Sequence, residues 1–261
     1  MPTLPSATSP ELAFAFLLVL IRASAMMVSA PLLSNRAIPS WTKIGFCIFL
    51  AVVITPLAGD TLPPAPTLIT GMIGPVVREI LFGLAMGLAM QLVFISLQMG
   101  SHFLGLQIGF GIGAVFDPQT GSQFGPFDQF YAVVVTLLFF VVNGHHLVIQ
   151  TFAETIRAVP PGTFDPFGLT ADGIAGLATG LFVTAIRIAM PVLVAMFLTD
   201  VGMGFVARTA PQANLLVVGA PVKIGVGILM VMAALPFTVH LMRMGIEGPL
   251  TGASQQLLGV R

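Results

Sequence analysis

Apolar residues run along this chain in long blocks without alternation, and short clusters of Pro, Gly, Asn and charged residues divide the blocks. Six blocks, near residues 12–33, 42–57, 80–99, 130–150, 173–198 and 215–242, approach the length needed to cross a membrane. An α-helix needs about 20 mostly apolar residues to span a hydrocarbon core of about 30 Å. The dividing segments, 34–36, 60–66, 100–128, 159–172 and 199–214, hold the expected turn residues. This pattern predicts an all-α, polytopic membrane protein of about six apolar helical segments, with one domain over residues 1–261.

Several positions depart from a plain bundle. Arg22, Arg187 and Lys223 stand inside the first, fifth and sixth blocks. An intramembrane cation costs about 2.5–3.5 kcal/mol on insertion scales, so each is expected to face protein or water and not lipid. No acidic residue lies within those three blocks to form a proton relay. The second block is short and ends at Pro56, while Pro191, Pro221 and Pro236 are expected to interrupt the last two. Alternating the loops puts Arg36, Lys43 and Arg208 on one side and Arg78, Arg157, Arg243 and Arg261 on the other, which sets no orientation. Glu11 is the first charged residue and no basic segment precedes the first block, so a cleaved signal peptide is not expected.

Composition narrows the class. The chain is 56% hydrophobic and 8% charged, with a mean hydropathy of +1.01. Soluble domains carry about 25% charged residues, and disordered chains are poorer still in apolar ones. Ten basic residues balance ten acidic ones with no basic cluster, which argues against nucleic acid as a partner. A single cysteine, Cys47, excludes an intramolecular disulfide and a Cys-based zinc site.

The segment after the third block is the least ordinary. Gly105, Gly109, Gly111 and Gly113 alternate with apolar residues, among them Phe110 and Ile112, ahead of Phe116 and the Asp117-Pro118 turn. Glycine costs about 0.8–1.0 kcal/mol relative to Ala inside a helix, so an irregular loop is expected from about Gly100. Non-helical backbone at membrane depth survives only where protein or water covers it. An uncharged, Phe-bearing loop of this kind suits a hydrophobic constriction that blocks ions. The competing reading is that Gly105 and Gly109 simply let helices approach closely. From the residues alone both stay open.

No catalytic constellation emerges. His145 and His146 are adjacent, hence about 100° apart on a helix, and Asn143-Gly144 reads as a helix break, so segment-end polar residues are expected there in place of a metal pair. There is no Walker A motif, no Gly-x-Ser-x-Gly elbow and no His-Glu-x-x-His. No catalytic residue, cofactor or metal site is expected. The 14 Met fit pliable core packing.

Ordered signatures run the length of the chain. They are Phe16 to Pro31 with Arg22; Gly83-Leu-Ala-Met-Gly-Leu-Ala-Met-Gln-Leu with Gln98-Met-Gly100; and Gln107-Ile-Gly109-Phe through Asp117-Pro118. Asn143-Gly-His-His, Pro160-Pro-Gly162 and Arg208-Thr-Ala-Pro-Gln-Ala-Asn214 to Gly219-Ala-Pro-Val-Lys223 follow. In this order they resemble the FliR/SctT family of type III secretion export-gate proteins. The resemblance implies a non-enzymatic, channel-forming subunit of a helical assembly in the bacterial inner membrane, at the flagellar basal body. FliP- and FliQ-like subunits and FlhB-like and FlhA-like proteins are the implied partners, with membrane lipid and unfolded flagellar proteins in transit. It further implies that Gln107, Gly109, Phe110, Gly111, Ile112, Gly113, Phe116 and Asp117 form a channel plug. Arg22, Arg187, Arg208, Gln212, Asn214 and Lys223 become candidate buried polar or assembly residues. The alternative is a small secondary transporter, motivated by six spans and by Arg22 and Arg187, although no internal repeat is visible.

Overall fold

The computed structural model describes residues 10–31, 34, 38–59, 62–109, 125–166, 171–209 and 215–256. Among them are seven α-helices, a 3₁₀ turn at Thr55–Ala58 and no strand. The helices are α1 (Pro10–Ser29), α2 (Ser40–Ile54), α3 (Ile69–Ile108), α4 (Pro126–Val141), α5 (Gly144–Ala158), α6 (Ala171–Thr209) and α7 (Leu215–Gln256). Five stretches are long and apolar enough to cross a membrane: Pro10–Ser29, Ser40–Ala58, Ile69–Ile108, Phe182–Thr209 and Pro221–Leu241. The broken pair α4 and α5 counts as a sixth.

The all-α expectation holds, but the helices overrun the apolar blocks. At 40, 39 and 42 residues, α3, α6 and α7 are each about 60 Å long, twice the hydrocarbon thickness. Helix α3 passes through Gly100 and Gly105, where an irregular loop was expected, and stops only at Ile108. Packing offsets the glycine penalty there: a Cβ on Gly100 would stand 3.2 Å from the Ala185 carbonyl and from Ile188. Pro191 likewise fails to interrupt α6, and Pro221 and Pro236 fail to interrupt α7. One lost backbone bond is tolerated in a long apolar helix because neighbouring groups and small local adjustments satisfy the freed carbonyl. The fourth block does break where Asn143-Gly144 suggested, with Asn143 left-handed at φ 57°, ψ 33°.

The chain divides into two compact units interleaved along the sequence. The first comprises Met1–Leu92, Asn143–Leu177 and Ile246–Arg261. Its core gathers Phe14, Leu18 and Met26 of α1, Leu50 and Ile54 of α2, and Phe152 and Ile156 of α5. The Gly83-x-x-x-Gly87 face of α3 lies directly on α1: a Cβ on either glycine would collide with α1 backbone at Arg22 or Met26. Small-residue close packing is therefore real in this chain, tightest at Gly83 and Gly87 and present at Gly105, where a Cβ would stand 3.3 Å from Phe127, but not at Gly109.

The second unit comprises Val93–Val142 and Ala178–Gly245. Leu97, Leu104 and Ile108 of α3 are buried with Tyr131 and Phe139 of α4, Ile188, Val192 and Met196 of α6, and Val231 of α7. Phe94 and Phe139 meet edge-on at 5.4 Å, and Ile108 fills the space a side chain at Gly227 would need.

Candidate functional site

Two polar clusters stand out in this apolar protein, one in each unit. In the first unit Arg22 is fully buried against Glu79 of α3, with Nε 2.5 Å from Oε2 and Nη2 2.9 Å from Oε1. Its remaining donors reach the Thr155 carbonyl at 3.3 Å and the Val159 carbonyl at 3.1 Å, at the end of α5. The guanidinium also lies 4.5 Å from the centre of the Phe82 ring. Glu79 is completed by the Gly162 N–H at 2.6 Å. That N–H is presented by a turn in which Thr163 N–H reaches the Pro160 carbonyl at 3.1 Å and Gly162 takes φ 82°. Pro at the second position and a positive-φ Gly at the third are what a type II turn demands, so Pro160-Pro-Gly162 is shaped to cap a carboxylate. All five guanidinium N–H groups are used, which is the condition under which a buried ion pair is tolerated.

The second cluster surrounds the end of α3. Helix α3 terminates at Gly109, whose φ of 101° is open only to glycine without strain and whose N–H still reaches the Gly105 and Leu106 carbonyls at 3.2 Å. Two residues earlier, Gln107 donates through Nε2 to Asp200 Oδ2 at 3.3 Å. Asp200 on α6 pairs in turn with Lys223 on α7, Oδ1 to Nζ 2.5 Å. These two side chains are 37% and 31% exposed. The chain re-enters the described region at Gly125, whose N–H donates to Asp128 Oδ2 at 2.9 Å. Pro126 opens α4 there, at a position where its missing N–H costs nothing. Asp128 also lies 3.5 Å from Ser101 Oγ and 3.1 Å from His102 Nδ1, both on the last turns of α3. Gln107 and Gly125 thus each donate to a carboxylate, Asp200 for the first and Asp128 for the second.

Of the residues singled out from the sequence, Arg22 is buried, and Lys223 and Gln107 come together through Asp200. Gly109 is the helix terminator. Arg187 and Arg208 are exposed on α6 within this chain. Phe110, Gly111, Ile112, Gly113, Phe116, Asp117, Gln212 and Asn214 lie outside the described residues. The acids that answer the cations, Glu79 and Asp200, escaped the sequence reading because each falls just beyond an apolar block. Among the described residues no group of His, Cys, Asp and Glu is arranged to hold a metal ion.

Residues 13–248 match the family model described as bacterial export proteins, family 1. The flagellar biosynthetic protein FliR of Bacillus subtilis is 35% identical over 224 residues, which cover 85% of this chain and 86% of that one. FliR of Pectobacterium carotovorum is 30% identical over 85% of each chain, and FliR of Escherichia coli is 27% identical over 83% of this chain and 82% of its own. A match of this extent, on a chain whose described residues are helical and apolar, makes the protein a member of the bacterial export proteins of family 1, alongside the FliR proteins.

Proposed function

We propose that the chain is a structural, non-catalytic subunit of a flagellar type III protein export gate, and that its residues 107–117 plug the export channel until a substrate passes. The relatives named as flagellar biosynthetic proteins support the first half of this reading. The second half rests on one observation: a 40-residue apolar helix ends at a left-handed glycine beside a half-exposed Gln107–Asp200–Lys223 chain. The contacts of Gln107 with Asp200 and of Gly125 with Asp128 would hold the two ends of such a plug. In this account Phe110, Ile112 and Phe116 supply the seal, and Gly111 and Gly113 leave the backbone free to be displaced. Asp117 closes the strip.

In the same reading the whole chain acts as one export-gate domain of the bacterial inner membrane and the flagellar basal body. FliP- and FliQ-like subunits, with FlhB-like and FlhA-like proteins, cover the exposed apolar faces and the cations Arg187, Arg208 and Lys223, with Gln212 and Asn214 at the same contacts. Arg22 gives no support to the transporter alternative, since its donors are committed to Glu79 and two carbonyls. Purification in mild detergent is the test: the gate reading expects stable co-purification with FliP- and FliQ-like chains. A lone monomer that moves a small solute in liposomes would overturn it.

A further inference from the structure

Helix α6 buries one face in its own unit, through Ala185, Ile188, Val192 and Met196. At about 100° per residue Arg187 stands on the opposite face, and it is exposed. Steps of three and four residues lead from Gly180 through Val183, Arg187, Met190 and Val194 to Phe197, and all six positions are exposed. That spacing is the seam of two helices packed as a left-handed pair, the usual crossing in membrane bundles. A Cβ on Gly180 would meet nothing within 4 Å, so the described residues leave that end of the seam open.

Arg187 carries the sole formal charge between Asp172 and Asp200, so about 20 Å of uncharged helix lies on either side of it at 1.5 Å per residue. It falls within Phe182–Thr209, one of the stretches long and apolar enough to cross a membrane. Among the described residues it has no hydrogen bond or ion pair. Arg22 shows how this protein settles the same side chain elsewhere, with a carboxylate and backbone carbonyls. We propose that the α6 seam centred on Arg187 docks a membrane helix of a different chain, which presents an Asp or Glu carboxylate to the guanidinium and small or apolar side chains to the rest. The proposal rests on the gate reading, which supplies such neighbours. A carboxylate is the fitting counterpart because it cancels the charge and accepts two parallel N–H bonds from the guanidinium fork. A second copy of this chain does not fit, since two such seams in parallel register would set Arg187 against Arg187. Lipid tails offer neither an acceptor nor a charge.

The full-length chain, purified alone and co-expressed with FliP- and FliQ-like chains, gives two readouts: its own melting in detergent and the recovery of assembled gate. Arg187→Gln should lower gate recovery about ten-fold, Arg187→Glu further, and Arg187→Lys no more than about two-fold. Gly180→Leu, which has room within this chain but fills the seam, should match Arg187→Gln. None of these should lower the melting of the lone chain. The Arg187→Lys gate is then treated with dicyclohexylcarbodiimide, which joins an amine to a touching carboxylate as an amide. Peptide mass spectrometry should find position 187 attached to an Asp or Glu of another gate chain. Full gate recovery with Arg187→Gln or Gly180→Leu would overturn the proposal, as would equal losses with Arg187→Lys and Arg187→Gln. So would a lowered melt of the lone Arg187→Gln chain, or an amide to a carboxylate of this same chain or to none. A wild-type chain that recovers no FliP- or FliQ-like partner would instead overturn the gate reading itself.

Discussion

Arg22–Glu79 and Lys223–Asp200 are both ion pairs at 2.5 Å, yet their surroundings are opposite. The first has no exposed side-chain surface, while the partners in the second are each about one third exposed. Arg22 and Glu79 use their hydrogen-bonding capacity on each other and on the backbone of α5 and the Pro160-Pro-Gly162 turn, so the pair joins α1, α3, α5 and that turn within one unit. Lys223 and Asp200 link α6 to α7, hold the last turn of α3 through Gln107, and still face outward. Separation alone therefore says little about the role of a charge in an apolar protein. Saturation separates a staple from a contact that another chain can complete.

The largest effect should come from cutting the saturated pair. Arg22→Ala leaves Glu79 buried without its partner and should cost about 3–5 kcal/mol, seen as loss of folded protein and of thermal stability in detergent. Arg22→Met combined with Glu79→Met should lose much less than the two single changes added together. Simple additivity would show that the two residues act separately. Gly87→Val comes next, at about 1–3 kcal/mol or more, because the added side chain meets Ser29 Oγ and also the backbone at Met26 and Ala30, which cannot turn aside. Gly109→Ala has open space and only backbone strain to pay, so about 1 kcal/mol is expected from the same thermal melts.

Lys223→Gln is the mildest, below about 1 kcal/mol for the isolated chain because solvent already screens the pair. Its consequence should instead appear as reduced recovery of the assembled gate, and Lys223→Glu, which faces Asp200 with a like charge, should reduce it further. Equal losses of chain stability for the Arg22 and Lys223 variants would erase the distinction between the pairs.

The helical class and the approximate spans were legible because twenty-residue apolar blocks have few structural solutions. The limits of the helices were not. Hydropathy falls at Glu79 and Asp200, whereas the helical hydrogen bonds continue through both, so a reading that stopped at charged residues removed the counter-ions from the cations they serve. Proline misled in the same direction at Pro191, Pro221 and Pro236, since one missing N–H does not end a long apolar helix whose other backbone bonds persist. Turn chemistry was more transparent. Asn143-Gly144 and the left-handed Gly109 both mark real helix ends. Gly105 could not be told from Gly109 by sequence: the first contacts Phe127, and only the second turns the chain.

Passive leakage tests the proposed sealing role of the strip from Gln107 onward most directly. Cells carrying a deletion of residues 107–116, with the gate assembled and co-purifying at normal levels, should become permeable to small ions and dyes while the wild type stays tight. Unchanged permeability with a fully assembled gate would contradict the plug.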